Sequence, residues 1–273
     1  MKIKEVIGYL EKRFPRDLAL DFDQPRIGLE IGSGEIELKK VMLTLDLTME
    51  VLDEAIEKGC NLIISHHPFI FDPLYKIEFD SDKGKIIKKM FLKDISLYAM
   101  HTNLDTAENG VNDTLANLMG LKEIEVINGE ISKGNLLRYG KIKEQTVLEF
   151  ANHVKKVFGL SGVRVCGDVG KRIKTVGVIG GSGAHPSEIN DAIRLNLDAY
   201  VTGEVHLNNA IDAYNSGLVI IEVNHGVEKF VMYPLKEELE KELKLDNRVF
   251  VTEINTDPLI SLWFFRKKIE LIV

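Results

Sequence analysis

Short apolar runs along the chain alternate with longer amphipathic stretches. The runs at 41–45, 62–64, 95–100 and 218–223 are rich in β-branched and other large apolar residues, which predicts buried β-strands. Elsewhere apolar residues recur every three or four positions, as at 48–58, which predicts amphipathic helices. The repeated order of strand, polar tip and helix predicts an α/β protein.

The pattern loosens after about Lys122, and we interpret this region as the crossing between two lobes. The predicted domains are therefore 1–125 and 126–273, with the last segment free to return to the first lobe. The segment at 17–34 is rich in Pro and Gly and is predicted to be a loop. A chain of 273 residues is long enough for two such lobes, or for one large α/β domain.

Two adjacent histidines, His66 and His67, stand where the strand at 62–64 ends. Pro68 follows them and cannot continue a central strand, so the chain is expected to turn there. The carboxyl ends of strands are where open α/β sheets bind ligands. The pair is predicted either to bind metal, with one imidazole for each of two ions, or to be two loop histidines without a ligand.

Other polar side chains follow the remaining predicted strands in the same way. His101 and Asp105 follow the strand at 95–100, and His225 and Glu228 follow the strand at 218–223. At the start of a helix, positions i and i+3 share a face, so His225 and Glu228 are able to bind one centre. Asp46 also lies at a strand end, where it is either a turn residue or a partner to the site.

Imidazole and carboxylate together suit Zn, Fe or Mn, and a bridging carboxylate suits a centre of two ions. Such a centre permits hydrolysis at neutral pH, because a metal lowers the pKa of bound water to about 7. No G-x-S-x-G motif is present, and neither cysteine has a histidine close by in the sequence. Metal-assisted chemistry is therefore the enzyme class that the sequence favours.

A glycine-rich turn at 180–183 leads into a predicted helix with Pro186 at its first position. The free N–H groups of such a helix start attract anions. The turn matches neither the Walker A nor the G-x-G-x-x-G pattern, and a tight turn under sheet packing explains it equally well.

The composition is that of a soluble globular protein, neither disordered nor membrane-spanning. The chain is 45% hydrophobic and 28% charged, with a net charge of −7 and no apolar run long enough to cross a membrane. Basic and acidic residues are interspersed, which disfavours nucleic-acid binding. The first residues form an amphipathic pattern rather than a signal peptide, and Cys60 and Cys166 suit a reducing compartment, so a cytoplasmic location is expected.

The chain contains, in this order, the motifs HHPFIF, HTNLD, VGVIGGSG, TGE and NHGVEKF. The chain resembles the Nif-three-like dinuclear metal-centre proteins, often named GTP cyclohydrolase I type 2 homologues, from about Gly28 to Leu235. The family usually places its late histidine and glutamate four residues apart, whereas here the spacing is three.

The resemblance implies two similar α/β lobes facing across a metal-binding cleft and, in many members, a toroidal homohexamer. It implies two divalent ions per chain, with His101 as a candidate proton donor or as a group that orients a ligand. The implied ligands are His66, His67, Asp105, His225 and Glu228.

Two functions remain open from the sequence. One is a hydrolase acting on a nucleotide or another phosphorylated small molecule. The other is a non-catalytic metal-binding scaffold whose ring presents surfaces to a partner. A ring that encircles nucleic acid is a third option and would need a basic lumen.

Overall fold

The computed structural model describes residues 1–127 and 134–259. The α-helices of these residues are α1 (Ile3–Arg13), α2 (Met49–Glu57), α3 (Asp82–Leu92), α4 (Thr102–Thr106), α5 (Val111–Leu118), α6 (Val147–Val157), α7 (Pro186–Arg194), α8 (Leu207–Asn215) and α9 (Met232–Leu243). The strands are β1 (Gly28–Ile31), β2 (Val41–Thr44), β3 (Leu62–Ser65), β4 (Ser96–Ala99), β5 (Lys122–Val126), β6 (Arg138–Thr146), β7 (Arg164–Cys166), β8 (Arg172–Ile179), β9 (Ala199–Thr202), β10 (Val219–Glu222) and β11 (Val249–Val251). Short 3-10 helices span Arg16–Leu18 and His225–Val231.

The first sheet has the strand order β1-β4-β3-β2-β11. All neighbours in it are parallel except β1, which pairs antiparallel with β4. Thr44 pairs with Ser65 and Ser65 pairs with Ala99, so β2, β3 and β4 end at the same level. The residues that follow these three strands therefore meet at one edge of the sheet.

The second sheet has the order β5-β6-β8-β9-β10-β7. Its central strands β8, β9 and β10 are parallel, and the register aligns Ile179 with Thr202 and Thr202 with Glu222. The glycine-rich turn after β8 and the polar residues after β10 consequently share an edge.

The largest apolar cluster joins the two sheets into one body. It contains residues from β2 and β3, from β8, β9 and β10, and from helices α1, α5, α6 and α9. A second cluster packs α2 and α3 on the first sheet, and a third packs α7 and α8 on the second. Because β2, β3, β4 and β9 are buried along their full length, they appear in the sequence as continuous apolar runs rather than alternating patterns.

The predicted two-lobed α/β architecture is confirmed, and the predicted strands lie within one or two residues of the observed ones. Helix α2 begins at Met49, within one residue of the predicted start, and the Thr48 hydroxyl caps it by accepting a hydrogen bond from the Val51 N–H. The prediction of a loop at 17–34 was wrong for β1. The sequence pattern does not predict this edge strand, because the strand is short, has no continuous apolar run and begins at Gly28, whose φ is +113°.

The predicted crossing between the lobes contains β5 and β6, which belong to the second sheet, while residues 128–133 of it lie outside the described residues. Strand β11 pairs with β2 in the first sheet. The division of the chain into domains at residue 125 stays a prediction. In the described parts of the chain, every helix is too short or too polar to cross a membrane.

Candidate metal centre

His66 and His67 continue the pairing of β3 with β2 beyond the end of the strand. The His66 N–H donates to the Thr44 carbonyl at 3.1 Å, and the His67 N–H donates to the Leu45 carbonyl at 3.0 Å. The two ring centroids lie 4.9 Å apart, and His66 is fully buried. The C-terminal end of the central strand β3 thus brings both imidazoles to one place.

His101 and Asp105 come from the neighbouring strand end. His101 immediately precedes α4, the ring centroids of His101 and His66 are 5.3 Å apart, and Asp105 lies within this short helix. The Asp105 Oδ1 atom is 3.4 Å from His66 Nε2. Both residues that follow β4 therefore face the histidine pair.

The second sheet contributes His225 and Glu228 from the 3-10 helix after β10. Their spacing of three brings His225 Nε2 within 3.2 Å of Glu228 Oε2. The same oxygen lies 3.1 Å from His67 Nε2 and 3.6 Å from His66 Nε2. Glu228 thus reaches from one lobe to the histidines of the other, and the structure brings all five predicted ligands together.

These side chains form two overlapping groups with donor atoms within 4.8 Å of one another. One group is His67, His225 and Glu228, and the other is His66, Asp105 and Glu228. A third group of the same kind contains His66, His67 and His101. Since the first two groups share Glu228, the arrangement suits two cations bridged by one carboxylate.

Unpaired polar atoms provide the test of whether a cation fits. Among the described residues, both ring nitrogens of His66 and Oδ1 of Asp105 are buried without a hydrogen-bond partner. Buried polar atoms in proteins are almost always paired, and leaving one unpaired costs about 1–3 kcal/mol. A cation between His66 and Asp105 would satisfy one atom of each residue, so the residues present fit a metal.

The electrostatics of the centre depend on burial and on these close contacts. Burial lowers the pKa of His66 to about 3, so this imidazole is neutral and ready to bind a metal. Burial, with the nearby Glu228 charge, raises the pKa of Asp105 well above its ordinary value. Burial would also raise the pKa of Glu228, but hydrogen bonds from His225 and His67 outweigh it and lower that pKa.

The pKa values of His67 and His225 move upward. Burial alone would lower the pKa of His67, but its hydrogen bonds to Asp46 and Glu228 raise it to about 10. The hydrogen bond to Glu228 raises the pKa of His225 to about 8 despite its burial. Without a metal, the carboxylates of Glu228, Asp46 and Glu204 thus favour the protonated forms of these two rings.

Three of the histidines, His67, His101 and His225, have a carboxylate in contact with Nδ1. Asp46 lies 2.7 Å from His67 Nδ1, and Glu204 lies 3.0 Å from His225 Nδ1. Such partners orient metal-binding histidines and increase their basicity. Of the two predicted roles of Asp46, the structure favours that of a partner to the site.

The third carboxylate, Asp23, lies 2.9 Å from His101 Nδ1 and was missed by the sequence analysis. It belongs to the segment predicted as a loop, 78 residues before His101. No strand directly precedes Asp23, so the expectation that site residues follow the ends of strands did not point to it.

The glycine-rich turn packs directly against the centre. Gly181 has a φ of +56°, and a Cβ atom there would lie 2.5 Å from Glu228 Oε1 and 3.1 Å from His225 Nε2. Its carbonyl accepts a hydrogen bond from the Glu204 N–H at 2.9 Å. These contacts support the tight-turn interpretation of the motif, since Glu228 fits only beside a residue without a side chain.

Gly181→Ala is expected to displace Glu228 and to weaken metal binding at both groups. The control is Gly217→Ala, because Gly217 has a φ of +76° but its Cβ would meet nothing within 4 Å. Both variants should lose about 1–2 kcal/mol of folding free energy from backbone strain. Only Gly181→Ala should also lose zinc affinity in a chelator competition. Equal affinity in the two variants would contradict this role of Gly181.

A cavity of about 460 Å³ opens above the centre, a volume that suits a small molecule. The polar part of its wall includes His67, His101 and Glu228, and the glycine-rich turn forms one side. Apolar residues, among them Phe22 and Phe71, form much of the remainder.

The fold and the site define an α/β protein of two sheets with a candidate metal centre of histidines and carboxylates between their strand ends. The chain belongs to the Duf34/NIF3 (NGG1p interacting factor 3) family, whose model matches residues 1–258. This finding confirms the resemblance inferred from the sequence.

Relatives match along nearly the whole chain. A Clostridium acetobutylicum protein named GTP cyclohydrolase 1 type 2 homolog is 32% identical over 266 residues, which are 94% of this chain and 98% of the relative. A solved Bacillus cereus protein related to NIF3 superimposes with a TM-score of 0.88 at 28% identity, covering 96% of this chain and 99% of its own. A hypothetical protein from Staphylococcus aureus has the same TM-score and coverage at 32% identity.

Proposed function

We propose that this chain is a dinuclear metal-dependent hydrolase that acts on a nucleotide-like or otherwise phosphorylated small molecule. The observation that carries the proposal is the pair of ligand groups sharing Glu228, one of which contains the buried, unpaired atoms of His66 and Asp105. The cavity above it and the name of the Clostridium relative support a small-molecule substrate.

Each residue then has a role in the proposed reaction. His67, His225 and Glu228 would hold one divalent ion, while His66, Asp105 and Glu228 would hold the other, with Zn, Fe or Mn as the metal. When bound, the two ions would activate water and polarise the group under attack. His101 lines the cavity beside them and would move a proton between water and substrate.

Hydrolysis by metal-loaded protein tests the proposal. The protein, loaded with Zn, Mn or Fe, would be assayed with GTP, other nucleotides and bis(4-nitrophenyl) phosphate. Turnover is expected, and His101→Gln should reduce kcat about 100- to 10,000-fold while the metal stays bound. Fully loaded protein that turns over none of these compounds would contradict the proposal and favour the metal-binding scaffold.

Asp46→Asn is expected to weaken the ion held by His67. The His67 Nδ1 atom would lose its carboxylate partner, and such losses reduce metal affinity about 10- to 100-fold. Competition with a chromophoric chelator measures the change. The control is Asp212→Asn, which replaces an exposed aspartate. Unchanged affinity in Asp46→Asn would show that this pair does not support metal binding.

Metal binding is also expected to release protons, because a ligating imidazole must be neutral. With pKa values of about 10 and about 8, the imidazoles of His67 and His225 are both in the doubly protonated, positively charged form at pH 7 in the metal-free protein. Zinc affinity should therefore rise with pH between 6 and 8, with at least two protons released per chain near pH 7. Calorimetry in buffers of different ionisation enthalpy counts them. Affinity that is constant over this range would contradict the expectation.

We further propose that the chain forms a homohexamer. An apolar face of α8 supports self-association, because Leu207, Ile211 and Tyr214 lie on one side of the helix and are 77%, 50% and 63% exposed. Sedimentation equilibrium tests this: a mass of about six chains is expected, and a monomeric mass at micromolar concentration would refute it.

A further inference from the structure

The carboxylate of Asp23 contacts the imidazole of His101 and is fully buried. Its Oδ1 atom is 2.9 Å from His101 Nδ1. Its Oδ2 atom accepts two hydrogen bonds from Thr102, from the N–H at 3.0 Å and from the hydroxyl at 2.7 Å. These hydrogen bonds of the Asp23 side chain therefore all go to the first two residues of the HTNLD motif, although Asp23 is far from them in the sequence.

The donors and acceptors of this cluster are fixed by their chemistry. The Leu20 N–H donates to Thr102 Oγ1 at 2.9 Å, so the hydroxyl proton of Thr102 is free to point at Asp23. A carboxylate only accepts hydrogen bonds. The proton in the contact between Asp23 and His101 must therefore lie on Nδ1 of the imidazole.

The opposite nitrogen of the ring is left for the cavity. One nitrogen of His101 lies within 4.8 Å of a nitrogen of His66 and a nitrogen of His67, and Nδ1 is already engaged by Asp23. In the part of the chain that the structure describes, His101 Nε2 makes no hydrogen bond. The corresponding atoms of His67 and His225 instead contact Glu228, at 3.1 and 3.2 Å.

We propose that Asp23 is a positioning residue that fixes His101 in the Nδ1–H tautomer and so presents a bare Nε2 lone pair to the reacting water. The inference deepens the proposed function, on which the catalytic meaning of the tautomer rests. In the other tautomer, an N–H would face the cavity and could not accept a proton. The role of His101 thereby differs from that of His67 and His225, whose Nε2 atoms contact Glu228.

Asp23→Asn has a predictable effect on this tautomer. The two donors of Thr102 require an acceptor at the former Oδ2 position, so the amide oxygen of Asn is expected to occupy it. The amide NH₂ group must then face His101 Nδ1 and donate to it. The imidazole would carry its proton on Nε2 instead, without any change in its position.

Nitrogen-15 NMR of histidine-labelled, zinc-loaded protein at pH 7.5 reads the tautomer directly, with His101→Gln to assign the signals. The wild type is expected to show a roughly ten- to hundredfold excess of Nδ1–H at His101, as a hydrogen bond to a charged acceptor gives. Asp23→Asn should reverse the preference to Nε2–H, while Asp21→Asn, on an exposed residue of the same loop, should leave it unchanged.

Two results would overturn the inference. One is an Nε2–H tautomer in the wild type, a measurement that needs no folded variant. The other is a folded Asp23→Asn protein that keeps the Nδ1–H form. Failure of the proposed function is recognised separately, because it would appear as absent zinc or absent turnover, and the tautomer can also be read in the metal-free protein.

Discussion

Glu228→Gln protein is expected to retain fewer than one tightly bound ion per chain, against about two in the wild type. The reason is that both ligand groups use this carboxylate, so its neutral isostere removes a charge and a ligand from each. Loss of an orienting partner alone reduces metal affinity about 10- to 100-fold, and loss of a shared ligand should exceed that at both positions. Elemental analysis after gel filtration, followed by chelator competition, measures the effect.

The matched control is Glu237→Gln, which changes an exposed glutamate of the following helix α9. It should bind metal as the wild type does. If Glu228→Gln instead kept two ions with wild-type affinity, the bridging role would be wrong. Loss of one ion with the other unaffected would assign Glu228 to a single group.

Removing the metal is expected to lower the thermal stability of the wild type substantially. Zinc at 1,000 times its dissociation constant stabilises a native state by about 4 kcal/mol when it binds only that state. For a chain of this size, this corresponds to roughly 8 to 16 °C in Tm. Part of this binding free energy comes from the buried atoms of His66 and Asp105 that have no other partner.

Differential scanning calorimetry with and without a chelator provides the measurement. The Glu228→Gln protein serves as the internal control, because a protein that holds little metal should respond little to the chelator. A wild-type Tm that is the same in both conditions would show that no metal is coupled to folding.

The sequence predicted most of the centre because the strands that carry it are buried. Continuous apolar runs located β3, β4 and β10, and their ends located His66, His101 and His225. Parallel strands in register end together, so residues far apart along the chain could be expected at one edge. The family motifs then supplied the assignment of ligands.

The remaining features depend on contacts that no local pattern encodes. Glu228 meets His67 across 161 residues and between two sheets, so a spacing rule within one motif could not predict their 3.1 Å approach. Asp23 carries no strand-end signal, and its role is visible only through its hydrogen bonds to His101 and Thr102. The requirement for glycine at position 181 likewise arises from a side chain on a different element.

Metal content per chain tests the central claim most directly. Protein purified without a chelator or a metal-binding tag would be analysed for elements beside an Asp105→Ala sample. The dinuclear account predicts about two ions per chain in the wild type and about one in Asp105→Ala, because Asp105 belongs to only one of the two groups that share Glu228. A wild type that stays empty after incubation with Zn, Mn and Fe would contradict it.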